Sequence, residues 1–229
     1  MLAQPAAPAG CASLAAFAIP ELHVGLLNQW LWMDITRLEK FDLTYPGHWI
    51  AGPDRDWASE TAQMLSLAES EFIEAVASFA MFEPVTATNV KQSLHITRSK
   101  YKSCLNSIYA RAFVYSLNTI RMLLNKLQEH FNPPDAAKVL ISEYDNRFRN
   151  LKHIRDSSVH IEDRGRGIYR RKGKEHEVQS TVIVLGCFSE RRFDFTGEDG
   201  RCYGEEISES TLLLAHRILQ AIINAYNWE

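Results

Sequence analysis

Residues 134–160 read PDAAKVLISEYDNRFRNLKHIRDSSVH, and the spacing of their apolar members decides how the chain is organised. Ala137, Ile141, Tyr144, Phe148 and Leu151 fall at alternating steps of four and three, which predicts one buried face of a helix starting near Pro134. The next step of four lands on Arg155, and a guanidinium on a seam that faces the core is costly unless a carboxylate or bound anion meets it. His160 follows five positions later, about 7.5 Å along the axis and roughly 140° around a regular helix. The two side chains therefore do not converge on a single helix. Either the helix ends between them, or a second copy of the segment completes the site.

Upstream, Met1 to Gly10 are rich in Ala and Pro and read as a loose tail. From Pro20, the positions Leu22, Leu26, Leu27, Trp30, Leu31, Met33, Ile35 and Leu38 predict a first helix, ended before Tyr45-Pro46-Gly47. A second helix from about Arg55 to Phe82 carries Leu65, Ala68, Phe72, Ile73, Val76, Phe79 and Ala80 on its apolar side, and Glu83-Pro84 should stop it. The segment from Thr88 to Phe131 has two apolar stripes. One runs through Tyr101, Leu105, Ile108, Ala112, Tyr115, Thr119 and Met122, the other through Phe113, Leu117, Ile120, Leu124, Leu127 and Phe131. Two stripes predict neighbours on two sides, so this is the expected central element.

Downstream, Gly165 and Gly167 interrupt a basic connection, and the pattern then changes to short branched and aromatic runs. Val178 to Phe188 and Arg192 to Tyr203, with the turn Gly197-Glu198-Asp199-Gly200, predict a hairpin. A last helix opens near Ser208 and buries Leu212, Ala215, Leu219, Ile222 and Tyr226. The expected architecture is mainly α, a bundle of about five helices with a small β-hairpin inserted before the C-terminal helix. Residues 1–19 form a flexible tail in this reading, and residues 20–229 a single domain with its hairpin at about 178–204.

The formal charge of −3 conceals an asymmetry. Asp56, Glu60, Glu69, Glu71, Glu74 and Glu83 face only Arg55 within the second helix, whereas Arg149, Lys152, Arg155, Arg164, Arg166, Arg170, Arg171 and Lys172 crowd the stretch after Arg147. Such local bias is the pattern of a polyanion-binding surface or of a solvated basic loop. Cys11, Cys104, Cys187 and Cys202 include no CxxC pair, which suits reduced thiols in a cytoplasmic protein; the expected hairpin would let Cys187 and Cys202 face each other, but nothing requires a bridge. The apolar run Cys11 to Ile19 is short and has no positive charge before it, unlike a signal peptide, and no apolar stretch reaches membrane-spanning length, so no membrane partner is expected.

An all-helical bundle with arginine, a polar residue and then histidine near the end of its penultimate long helix resembles the HEPN superfamily (higher eukaryotes and prokaryotes nucleotide-binding). The matching residues are Arg155, Asp156 and His160, and the likeness covers the helical body from Thr88 to the C-terminus. Other arginine–histidine pairs at similar spacing, Arg147/His153, Arg170/His176 and Arg171/His176, lack the polar follower or the helical context. The resemblance implies a metal-independent endoribonuclease of toxin–antitoxin, antiviral or stress systems. It would act as a homodimer, need no cofactor, and have an antitoxin or other regulatory protein as possible partner. Where some members carry a modifiable tyrosine two residues after the histidine, this chain has Glu162, so regulation by that route is not implied.

The residue chemistry fits such a reaction. Internal attack on RNA, which leaves a 2′,3′-cyclic phosphate, needs a base for the 2′-hydroxyl, an acid for the leaving oxygen and positive charge on the transition state. Histidine can be either acid or base, and arginine binds phosphate through paired hydrogen bonds. Arg155, His160 and Asp156 are the candidate catalytic residues, with Asp156 orienting a histidine or pairing with Arg155. Arg164, Arg166, Arg170, Arg171 and Lys172, together with Lys152 and Ser157, are the candidate RNA contacts. Two other readings remain open: a non-catalytic module that binds nucleic acid, nucleotide or protein, and a metal site built from His153, Asp156 and His160. The second lacks a further ligand cluster to complete it.

Overall fold

The two stripes of the central segment have different fates. The computed structural model describes residues 38–87, 96–171, 174–177, 183–189 and 191–229. The predicted tail and the first helix, with Trp30 and Trp32, lie outside the described residues. Helix α1 (Arg55–Ala87) packs against α2 (Ile96–Phe131). The stripe Phe113, Leu117, Ile120, Leu124 and Leu127 is buried, facing Leu65, Ala68, Phe72, Val76 and Phe79 within one core. The other stripe is largely open, with Leu105 37%, Ile108 52% and Met122 44% exposed. Among the described residues, α4, described below, packs on this helix and reaches the stripe at Tyr115. On α1, Asp54 Oδ1 accepts the Trp57 amide and caps the N-terminus. The helix runs through Pro84 to Ala87 rather than stopping at Glu83, and Ile73, one position off the Phe72 seam, is exposed.

The long helix expected from Pro134 is two helices, α3 (Asp135–Arg147) and α4 (Leu151–Val159). Phe148 leaves helical geometry at φ −104°, ψ 15°, and Asn150 precedes α4 without a side-chain cap bond. Burial drives the break. Tyr144 and Phe148 are both fully buried with ring centroids 4.6 Å apart, and the turn lets α4 re-aim its own buried face, Leu151, Ile154, Ser157 and Ser158. The seam does not continue to Arg155. The inward guanidinium inferred from the spacing is instead 44% exposed, because the helix restarts out of phase.

After the short α5 (Ile161–Gly165), the basic stretch expected to be a loop folds into a two-stranded antiparallel ribbon, β1 (Ile168–Arg171) with β2 (Lys174–Glu177). The expected single hairpin is a three-stranded antiparallel sheet, β3 (Leu185–Ser189), β4 (Arg192–Thr196) and β5 (Cys202–Glu206), in that order. Since β4 lies between β3 and β5, Cys187 and Cys202 are not on adjacent strands, and Cys202 is a free thiol. The turn forms at Gly197-Glu198-Asp199-Gly200, with Gly200 at φ 77°, a conformation that suits glycine. Phe193 and Phe195 on β4 are fully buried in an edge-to-face pair and join the helical core, laying the sheet on α4.

Helix α6 (Glu209–Asn224) begins at Ser208, whose hydroxyl accepts the Thr211 amide, and buries Leu212, Ala215, Leu219 and Ile222 against α3 and α1. Tyr226 is buried just beyond it, and Trp228 pairs with Ile50 in an antiparallel bridge. The described residues are thus mainly helical, with six helices and two small antiparallel sheets, and residues Leu38–Glu229 form one unit. None of the described helices is long and apolar enough to cross a membrane.

Glu205 is the buried carboxyl of the sheet, 6% exposed. Burial pushes its pKa up, against the pull of Arg147 and Arg192. A raised carboxyl pKa in the fold means that stability is greatest below the ordinary carboxylate range and is lost as pH rises through the folded value. Glu205→Gln keeps a neutral side chain at every pH. It should raise Tm at neutral pH, and that gain should shrink towards zero near the ordinary glutamate pKa of about 4. A Tm lowered at neutral pH would mean that the carboxylate is a favourable partner of the two arginines.

Candidate functional site

Helix α4 has nine residues, too few to be stable on its own, so its neighbours fix it. On one side is α2: the Tyr115 hydroxyl and Ser158 Oγ are 2.6 Å apart, and Ser158 Oγ also donates to the Arg155 carbonyl at 3.0 Å. On the other side is β5, where the His153 imidazole stacks on the Tyr203 ring at 4.1 Å and 11°. The Tyr203 hydroxyl donates to Asp199 Oδ2 at 2.6 Å.

Clamped this way, α4 turns Arg155 and Asp156 outward. Arg155 Nη1 donates to Asp156 Oδ1 at 2.9 Å, and both side chains remain partly exposed. Asp156 therefore pairs with the arginine, the second of its two expected roles. The helix ends at Val159, and His160 is its exposed C-terminal residue, with its amide donating to the Asp156 carbonyl at 3.2 Å. Of the two ways to explain the divergence of Arg155 and His160, a helix end between them is the one observed.

The candidate RNA contacts separate into groups. Lys152 and Arg166 are exposed. Ser157 is 1% exposed on the inner face of α4, so the expectation that it meets a phosphate fails: the same re-phasing that freed Arg155 turned this serine inward. The side chains of Arg164, Arg170 and Arg171, and all of Lys172, lie outside the described residues.

The metal-type set His153, Asp156 and His160 is not assembled: His153 stacks on Tyr203, Asp156 pairs with Arg155, and the three do not gather their ligand atoms in one place. Among the described residues, His160 is instead grouped with Glu162 and Asp163, with ligand-type atoms within 4.8 Å of one another. Glu162 is exposed, whereas Asp163 is buried at 6% and has interactions of its own. Imidazole and two carboxylates are donors that a divalent ion accepts.

Tyr115, Ser158 and Tyr203 emerge from the structure alone. Tyr115 reads as one more apolar position of a stripe, and a serine near a helix end is too common to signal a buried bond. Only the shared spacing of Leu151, Ile154 and Ser158 would have pointed inward. No family model matches the chain, and neither does any curated protein or solved structure.

If the Tyr115–Ser158 bond fixes α4, then Tyr115→Phe and Ser158→Ala should each destabilise the fold, with a coupling of about 1 kcal/mol in a double-mutant cycle read by urea denaturation. Additive losses would show that the two hydroxyls do not depend on each other.

Proposed function

We propose that this chain is a cytoplasmic, metal-independent endoribonuclease of HEPN type, acting as a homodimer in defence, toxin–antitoxin or stress response, with a regulatory protein partner. The observation that carries this reading is the placement of Arg155 and His160 at the outward end of one clamped helix, both reachable from solvent. There the guanidinium can meet a scissile phosphate and the imidazole can exchange a proton with substrate. One histidine does not serve as base and acid in the same step. A two-fold pair of chains would bring two copies of His160 and Arg155 to one phosphate.

The open stripe of α2 supports pairing of this kind. Leu105, Ile108 and Met122 are exposed along it, Tyr115 in its middle binds Ser158 of α4, and Val159 next to His160 is also exposed. A second copy covering this face would lie beside the Arg155–His160 segment. Lys152 and Arg166 would then contact the RNA backbone.

The ion pair of Arg155 with Asp156 favours a second reading, a non-catalytic HEPN-like module. Its arginine would be partly neutralised, and the same surface would only bind nucleic acid, a nucleotide or a protein. Incubation of the wild-type protein and His160→Ala with cellular RNA in EDTA separates the two. The nuclease reading predicts fragments with 2′,3′-cyclic phosphate ends from wild type only, with RNA affinity kept by the variant. Intact RNA in both reactions, with EDTA and without it, would favour the binding module. Cleavage lost in EDTA from the wild type would point to an ion at His160, Glu162 and Asp163.

A further inference from the structure

A second cluster of cations lies at the other end of α4 from His160. Arg149, Lys152 and Arg155 recur at steps of three through the turn and first part of α4, and Arg149 and Lys152 are exposed with no ion pair among the described residues. Arg201 lies in the β4–β5 turn two residues before Tyr203, whose ring stacks on His153, the neighbour of Lys152 on α4. Tyr203, stacked on His153, is within the electrostatic reach of both Arg149 and Arg201. Arg201 is 82% exposed and held only loosely, 3.8 Å from Asp199. The mount is firm: Tyr203 bonds Asp199, the Arg201 amide donates to Asp199 Oδ1 at 3.1 Å, and a Cβ on Gly197 would lie 2.7 Å from the Tyr203 ring. Asp199 is thus already occupied by these bonds and by the positive charge of its neighbours.

We propose that Arg149, Lys152 and Arg201 form a phosphate-binding subsite for a single RNA strand, which runs along the outer side of α4 past Arg155 to His160. This rests on the ribonuclease reading and extends it: the strand is held on both sides of the scissile position, by this subsite before His160 and by Arg166 after it. Guanidinium groups from two separate elements, a helix start and a sheet turn, suit a flexible backbone whose phosphates change direction. The stacked His153–Tyr203 pair fixes the distance between those elements. The stack takes one face of each ring and Gly197 lies close against Tyr203, so the part of this pair is to position the two elements.

The test uses a short 2′-O-methyl RNA, which cannot undergo internal attack, titrated by fluorescence anisotropy at several salt concentrations. Each phosphate contact to a single strand contributes about 0.7 to the log–log salt slope, which is on the order of fivefold in affinity near 0.1 M salt. Arg149→Ala with Arg201→Ala should lose both contributions, whereas Lys126→Ala, an exposed cation on α2, should leave slope and affinity unchanged. Circular dichroism should show the fold retained in each variant. Wild-type affinity and slope in the double variant, or an equal loss in Lys126→Ala, would overturn the subsite and leave the ribonuclease reading standing. Failure of the wild-type protein to bind the oligonucleotide would overturn both.

Discussion

The structure depends on how a nine-residue helix is held. α4 is too short to persist through its own hydrogen bonds, and four of its residues are buried: Leu151, Ile154, Ser157 and Ser158. Its position follows from three constraints. The Tyr144–Phe148 pair ends α3 and sets the turn, the Tyr115–Ser158 contact ties α4 to the central helix, and the His153–Tyr203 stack ties it to the sheet. Because both flanks and the inner face are taken, only one side of α4 remains for chemistry. Arg155, Asp156, Val159 and His160 occupy that side or the helix end next to it.

The small sheet therefore helps to place the candidate residues of α4 and is not an ornament on a helical bundle. Phe193 and Phe195 bury one face of β4 in the common core, and β5 carries Tyr203 and Glu205 against the α3–α4 corner. The charge relations there are graded by depth. Glu205 is buried, and desolvation resists its ionisation despite Arg147 and Arg192. Asp199 lies nearer the surface, and although partial burial works the other way, the bonds from the Tyr203 hydroxyl and the Arg201 amide and the nearby Arg201 guanidinium hold its carboxyl below the usual range. The deep carboxyl bears on stability, while the shallow one organises a turn.

Much of this was legible in the sequence. The Ser208 cap, the buried face of the last helix and the Gly197–Gly200 turn follow from local rules that tertiary packing did not override. What escaped was phase. Ala137 to Leu151 spells one continuous seam, and every one of those residues is buried, yet the chain breaks at Phe148 and restarts. A seam read as unbroken placed Arg155 inside and Ser157 outside, and the break reverses both. Asn150, which precedes α4 without a side-chain cap bond, was at most a weak signal in the middle of an apparently continuous pattern. The ribbon at Ile168–Glu177 was hidden for another reason: its strands are rich in charge and lack the alternation that marks a half-buried strand.

The central claim, that two copies of His160 share one phosphate, is tested most directly by mixing wild-type and His160→Ala chains under subunit exchange and measuring RNA cleavage against the wild-type fraction. A site that needs both histidines predicts activity falling with the square of that fraction, because mixed dimers carry only one. Activity falling linearly with the fraction would mean that each chain works alone, and would contradict the shared site.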